Sequence, residues 1–352
     1  MAATIHDVAR EAGVGIGTVS RVVNDSPRVK PSTRERVLAA IDKLQYKPDP
    51  IARSMVSKRT NSLGVIVPFF TRPFFMEVLR GVETVSARLG RELVLYNVET
   101  NAQRDRYFSE LPMHRKVDGL LIVSLTPDDS VSRRFRDTGL PVVLIDAYSP
   151  MFTSLVVNNV EGAYQAVRCL IEKGHRRIGF INGEIEGNFK FNQANDRLIG
   201  LHRAFGETSM LFEPELMLTS EWSRLGGKRA ALQLLSLQKR PTAIFAASDM
   251  QAVGVLEAAK DLGIPVPEQL SVIGFDGIEV SELLDFSTVR QPMQEMGEVA
   301  AAALVELIDN STQTSELIRF DTRLVERHTT GPAPSSTEYT EAQTPRESEA
   351  LR

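Results

Sequence analysis

A single cysteine, Cys169, stands among 352 residues, so no internal disulfide can form and a reducing compartment fits. Nowhere do eighteen apolar residues run together, which leaves no candidate membrane-spanning helix. The N-terminal stretch MAATIHDVAREAG carries acids and lacks a signal-peptide apolar core, so a cytoplasmic location with no membrane partner is expected. Catalytic signatures are missing as well: there is no GxSxG, HExxH or Walker sequence and no Cys/His cluster with metal-ligand spacing. The histidines His6, His114, His175, His202 and His328 are scattered, and GVGIGTV precedes the first strand pattern without GxGxxG spacing. No enzyme activity, cofactor or metal is therefore expected. An excess of one charge is also lacking, since 41 Lys and Arg face 45 Asp and Glu for a net −4, which taken whole argues faintly against nucleic acid.

The distribution of that charge says something else. Residues 1–60 hold eleven basic and six acidic side chains, a net +5, and the remainder is −9. From about Leu63 onward, short β-branched runs alternate with amphipathic helical stretches, the pattern of repeated βα units and a mostly parallel sheet. The expected strands are Leu63–Val67, Glu92–Tyr96, Gly119–Val123, Val142–Ile145, Ile178–Ile181, Ala243–Ala246 and Ser271–Phe275. Helical patterns fall at Phe75–Leu89, Glu161–Lys173, Leu225–Leu237, Met250–Leu262 and Met293–Ile308, with Gly90, Gly174 and Gly263 placed as left-handed caps. Two similar halves, roughly 62–158 and 161–285, exceed one sheet, and Ser287–Pro292 can cross back between them. Two lobes with a cleft follow, ligand groups gathering at the strand carboxyl ends. The last residues, rich in Pro, Ser, Thr and Glu, read as a disordered tail.

Residues 1–45 show no β-rich run and three short helical patterns instead. Thr4 with Asp7 can cap a first helix through Ala12, Gly13–Gly15 turns into a second over Ile16–Asn24, and Pro31–Ser32 begin a third with Val37, Ile41 and Leu44 on one face. Val8, Ala9, Val14, Val19 and Val22 can close a small shared core. An ordinary three-helix cap on the α/β body would look similar, but the +5 charge and outward Thr18, Ser20 and Arg21 favour a helix-turn-helix that approaches DNA.

IHDVAREAGVGIGTVSRVVND and TRERVLAAIDKLQYKPDPIARSM closely resemble the N-terminal module of the lactose-repressor (LacI/GalR) family of bacterial transcription regulators. The resemblance continues through RTNSLGVIVP, KVDGLLIV, LIEKGHRRIGFINGE, NDRLIGLHRAF, the stretch AIFAASDMQAVGVLEAAKDLGIPVPEQLSVIGFD, and RQPMQEMG, covering residues 1 to about 330. It implies an α/β protein with a small all-α helix-turn-helix DNA-binding domain (1–47) and a hinge (48–60). A two-lobed periplasmic-binding-protein-like effector domain (61–331) follows, then a tail (332–352). The first lobe would take about 61–158 plus 287–320, the second about 161–285 plus 321–331.

By that resemblance, the second helix enters the major groove with Ile16, Gly17 and Arg21 toward base edges. Arg21 can donate two hydrogen bonds to a guanine, worth roughly 1–3 kcal/mol of discrimination. Thr4, His6, Thr18, Ser20, Asn24, Lys30 and Thr33 match phosphate-contacting positions, and Gly15 stands where many members have Ser. Tyr46 opens the hinge, where Met55 matches an apolar minor-groove wedge flanked by Ala52 and Arg53. In the cleft, the resemblance points to Asp146, Asp249 and Asp276 at strand ends, to Arg197, and to Trp222 as a face for a sugar ring. Phe74 and Phe75 form an opposite wall, and Gln193, Ser248 and Gln291 complete the rim. The implied protein is a homodimeric repressor of carbohydrate-utilisation genes on a pseudo-palindromic operator in double-stranded DNA, controlled by a small sugar-like effector. The alternatives are a nucleobase, nucleoside or other metabolite as co-repressor, and a solute-binding protein without DNA function, disfavoured by the basic module.

Overall fold

The computed structural model describes residues 3–23, 26–46, 60–114, 116–184, 189, 191–208, 210–310 and 315–335. The chain divides into two compact units, 1–62 and 63–352.

Among the described residues, three helices build the first unit: α1 (Ile5–Ala12), α2 (Ile16–Val23) and α3 (Pro31–Lys43). The expected cap is present, with the Thr4 amide donating to the Asp7 carboxylate at 3.0 Å and the Thr4 hydroxyl at 2.7 Å. Gly13 ends α1 at φ 62°, where an L side chain would be strained, and the Val14 amide bonds back to the Ala9 carbonyl at 3.0 Å. Val8, Ala9, Ala12, Val19, Val22, Val37 and Ala40 form the core, with Val14, Ile41 and Leu44 packed at its edge. That core uses one stripe of each helix. The outward face of α2 is left to other contacts.

The second unit contains two six-stranded sheets. The first is built from β1 (Ser62–Pro68), β2 (Glu92–Val98), β3 (Gly119–Val123), β4 (Val142–Ile145), β5 (Thr153–Val157) and β11 (Leu317–Phe320), in the order β11-β5-β4-β3-β1-β2. Helices α4 (Pro73–Arg88), α5 (Asn101–His114), α6 (Asp129–Asp137) and α12 (Met293–Asn310) belong with it. The second sheet comprises β6 (Ile178–Gly183), β7 (Met217–Ser220), β8 (Ala243–Ala246), β9 (Ser271–Asp276), β10 (Ser287–Arg290) and β12 (Arg323–Val325), in the order β12-β10-β9-β8-β6-β7. Its helices are α7 (Asn159–Glu172), α8 (Asn192–Gly206), α9 (Arg224–Leu235), α10 (Asp249–Asp261) and the short α11 (Glu279–Leu283). The central strands are parallel and buried on both faces, hence their unbroken Val/Ile/Leu runs. Gly90, Gly174 and Gly263 follow α4, α7 and α10 at positive φ, as their spacing suggests.

One lobe boundary differs from the sequence expectation. Ser287–Arg290 does not return to the first lobe: Ser287 to Arg290 pair in parallel with Ile273 to Asp276, and Val289 is buried in the second lobe's core. The chain crosses back after this strand, at Gln291–Pro292, where proline ends the ladder and α12 begins. The lobes touch through their cores as well. Ile278 of the second lobe is buried among Phe75, Val78 and Met296 of the first, and Phe189 joins the cluster of Phe108 and Phe135.

Helices α4 and α12 approach so closely that a Cβ on Gly81 would lie 1.9 Å from the Gln294 carbonyl oxygen. Backbone cannot yield as a flexible side chain can, so Gly81→Ala should cost about 1–3 kcal/mol. Urea unfolding of the full chain measures this, and an unchanged midpoint would show that the helices separate freely.

Candidate functional site

The α2 surface meets the requirements for groove entry. Val19 and Val22 turn inward, while Ile16, Gly17 and Arg21 are exposed on the other side. The Arg21 guanidinium reaches back along the helix to within 3.6 Å of where a Cβ on Gly17 would stand, so the missing side chain gives the arginine a clear platform. Thr4, His6 and Lys30 are exposed around this face, and Thr18, Ser20 and Thr33 are half-buried. Tyr46 packs against the module's core, and its amide donates to the Ile41 carbonyl at 3.0 Å. Asn24, Ala52, Arg53 and Met55 lie outside the described residues, as do most of the expected hinge and the tail beyond residue 335.

Between the lobes is a cleft whose enclosed volume is about 70 Å³. Its polar wall is made by strand ends in an unusual backbone state: Ser124 after β3, Asp146 after β4 and Asp276 ending β9 have φ of 51°, 55° and 126°. Non-glycine residues rarely adopt such angles, and such strain clusters where side chains must be aimed. The Ser124 hydroxyl donates to the Asp146 carboxylate at 2.6 Å. From the opposite lobe, Gln193 Nε2 donates to the Asp146 carbonyl at 2.8 Å and also to its carboxylate. Burial pushes the Asp146 carboxyl up to about 6, against these hydrogen bonds and Arg197.

Arg197 is 3% exposed at the centre of the second-lobe wall. Its Nε donates to Asn159 at 3.0 Å, Nη1 to the Ala247 carbonyl, and Nη2 stands 3.8 Å from the Asp276 carboxylate. The Phe275 ring lies 3.7 Å beneath it and the Trp222 ring 5.4 Å away. Burial pulls the guanidinium below its ordinary range while the surrounding carboxylates work in the opposite direction, Asp276 foremost. Asp276 is itself raised by burial, with Arg197 opposing.

Trp222 borders the cleft next to Phe191, which meets it edge-on at 6.5 Å. Its position depends on Gly183, since a Cβ there would sit 1.9 Å from the indole. Phe74 and Phe75 face the cleft from the start of α4, and Ser248 does so while capping α10 through the Gln251 amide at 3.2 Å. Two polar atoms of the lining residues, Gln193 Oε1 and Trp222 Nε1, are buried without a partner.

Two expected residues do not reach the cleft. Asp249 is fully enclosed: its carboxylate accepts the Gly277 amide at 2.7 Å, the Ile278 amide at 2.9 Å and the Thr288 hydroxyl, tying the turn after β9 to β10. Gln291 sits behind Asp276, donating from Nε2 to its carboxylate at 2.8 Å and from its amide to its carbonyl at 2.9 Å. Arg72, Pro73, Ser124, Phe191, Met250 and Ile278 line the cleft although the sequence reading missed them. Of these, Ser124 carried a usable clue, ending a strand pattern just as Asp146 does.

Among the described residues, no group of three or more His, Cys, Asp or Glu could hold a metal, and no helix is long and apolar enough to cross a membrane. A helix-turn-helix module joined to a two-lobed body with a polar cleft between its lobes defines a DNA-binding regulator under small-molecule control. Residues 4–49 match the family of bacterial regulatory proteins, lacI family, and residues 167–330 match a periplasmic binding protein-like domain. Catabolite control protein A of Priestia megaterium is 33% identical over 334 residues, spanning 94% of this chain and 100% of its own. The HTH-type transcriptional repressor PurR of Proteus mirabilis is 34% identical over 338 residues, spanning 94% and 98%. Among solved structures, the lac repressor dimer bound to operator and the anti-inducer ONPF has a TM-score of 0.82 at 26% identity, covering 94% and 100%. The complex of the regulator CelR with cellobiose gives 0.69 at 30%, covering 93% and 99%. A LacI family regulator from Enterococcus faecium with bound ribose gives 0.68 at 25%, covering 77% and 99%. The chain belongs to the lacI family of bacterial regulatory proteins. It is an operator-binding repressor that dimerises and responds to a small-molecule effector.

Trp222 is the only tryptophan, so its emission reports this wall directly. Gly183→Ala should expel the indole and shift the emission maximum to longer wavelength, and an unchanged spectrum would mean that Gly183 does not seat the ring.

Proposed function

We propose that the chain represses carbohydrate-utilisation genes and that a small sugar bound between the lobes sets its operator affinity, with no catalytic step of its own and a cytoplasmic site of action. The observation that carries this reading is the convergence on one cleft of the Asp146 and Asp276 carboxylates, the Arg197 guanidinium and the flat Trp222 ring. Carboxylates accept from vicinal hydroxyls, a guanidinium donates to ring and hydroxyl oxygens, and an indole face covers the C–H side of a pyranose. The unpartnered Gln193 Oε1 and Trp222 Nε1 add one acceptor and one donor that a polyhydroxyl ligand would satisfy. Two of the structural neighbours hold sugars, cellobiose and ribose, which supports the same class here.

On DNA, two modules of the homodimer read the half-sites of a pseudo-palindromic operator. Arg21 faces a guanine edge, and Ile16 gives apolar contact to a thymine methyl. Thr4, His6, Thr18, Ser20, Lys30 and Thr33 hold phosphates, fixing register without specifying sequence. Arg21→Ala should erase about 1–3 kcal/mol of preference for the operator over scrambled duplex. A selection of bound sequences from random duplexes supplies the operator, and enrichment of no inverted repeat would overturn the reading.

Titrating the protein with a panel of sugars, with purine bases as a second arm, tests the effector class; binding by the bases alone would reverse it. The pH dependence has a defined sign. A sugar hydroxyl donates to the ionised Asp146, whose carboxyl takes a proton at about 6 in the empty cleft. Affinity should therefore fall by roughly tenfold from about pH 7 to pH 5, and Asp146→Asn should flatten the profile. A flat profile in the unaltered protein would remove this carboxylate from the contact.

A further inference from the structure

Among the described residues two guanidiniums line the cleft, and only one of them has a hydrogen-bond or ion-pair partner there. Arg197 has Asp276, Asn159 and the Ala247 carbonyl, and Asp146 is engaged by Ser124 and Gln193. Arg72 has none of these. It immediately precedes α4, half-buried, with its guanidinium carbon 3.9 Å from the centroid of the Phe69 ring. Phe69 is in turn braced edge-on by Phe189 of the second lobe at 5.6 Å. Stacking fixes the plane of the guanidinium and leaves its N–H edges free. Among the described residues no acceptor hydrogen-bonds to the Arg72 side chain and no carboxylate forms an ion pair with it. Glu184, exposed at the end of β6, acts on it only from beyond ion-pair distance, and half-burial pulls the Arg72 guanidinium below its ordinary range.

The surroundings of Arg72 are donors too. Pro73 has no amide hydrogen, and the next two amides, of Phe74 and Phe75, find no acceptor among the described residues before the helical ladder begins with Met76 donating to the Arg72 carbonyl at 3.1 Å. A sixteen-residue helix places the positive end of its dipole at the same spot. An independent sign of a missing ligand comes from Gln193, 8% exposed, which lines the same cleft with its Oε1 unpartnered. The hydroxyl-binding groups, Asp146, Asp276 and Gln193, therefore stand in one cleft with a cation that no described residue pairs directly and beside two helix-start amides without an acceptor among the described residues. A neutral sugar satisfies the first set and leaves the second, while a half-buried charge without a partner is costly.

We propose that the effector is an acidic sugar, a polyhydroxyl ring bearing a carboxylate or a phosphate, whose anionic group is held by Arg72 and the amides at the start of α4. This rests on the carbohydrate reading of the cleft and narrows it. Calorimetric titration of the full-length protein with glucose and galactose, beside their uronates and 6-phosphates, separates the possibilities. At least one acidic sugar binds about tenfold tighter than its neutral parent, the scale of one charge-assisted hydrogen bond. The uronate and phosphate arms tell which anion it is. Arg72→Gln reduces that ratio to below about threefold, and Arg72→Lys, which keeps the charge, retains most of it. Neutral parents that bind as tightly as both acidic forms overturn the anion subsite and leave the carbohydrate reading standing. So does an Arg72→Gln loss equal for neutral and acidic sugars, which would make Arg72 a brace between Phe69 and the second lobe. Failure of all these sugars to bind overturns both.

Discussion

A guanidinium enclosed in the middle of an α/β body is the constraint around which the cleft is built. Arg197 is almost wholly out of water, and such a charge is tolerated only with partners on every side. Phe275 lies beneath it, Asn159 and the Ala247 carbonyl accept its hydrogens, and Asp276 supplies the nearest opposite charge. Those partners come from α7, from the end of β8 and from β9, so the charge ties three elements of the second lobe to one point. Asp276 is then held from behind by Gln291, the residue at which the chain leaves for the first lobe. A polar centre and a hinge thus share one residue pair.

Asp146 is the first lobe's counterpart. Its carboxylate and carbonyl accept hydrogen bonds from Gln193 of the second lobe, so the arrangement described here is partly closed across the cleft. Any ligand that donates hydroxyls to Asp146 competes with that bond and replaces it with its own contacts to both lobes. The balance between lobe arrangements is then set by differential affinity, the only means by which an effector can move it. Apolar contacts of Ile278 and Phe189 with the first lobe oppose wide separation and keep the alternatives few.

Much of this was legible in the sequence. The Thr4–Asp7 cap, the Gly13 turn and the Val19/Val22 stripe follow from local rules, and the seven expected strands all form within two residues of their anticipated ends. Strands at sheet edges were harder. Met217–Ser220, Leu317–Phe320 and Arg323–Val325 are short and half-exposed, so they lack the apolar runs that mark central strands. Helix Asn101–His114 shows no clear apolar period, and the nine-residue Asp129–Asp137 offers only Val131 and Phe135 as large apolar residues. Asp249 and Asp276 read alike, each closing an apolar run, yet Asp249 lies beyond its strand at the start of α10. There two inward amides capture it. Arg72 was invisible for another reason: its significance depends on what fails to pair with it, which only tertiary structure reveals.

Occupancy of the cleft and occupancy of the operator are energetically linked in a repressor that responds to an effector. Linkage is reciprocal, so the factor by which an effector changes the operator dissociation constant must equal the factor by which operator changes that of the effector. Measuring sugar affinity for the dimer with and without saturating operator, beside operator affinity with and without saturating sugar, is the most direct test. The two factors should be equal and about five or more. A sugar that binds in the cleft with the same affinity whether or not operator is present would contradict it.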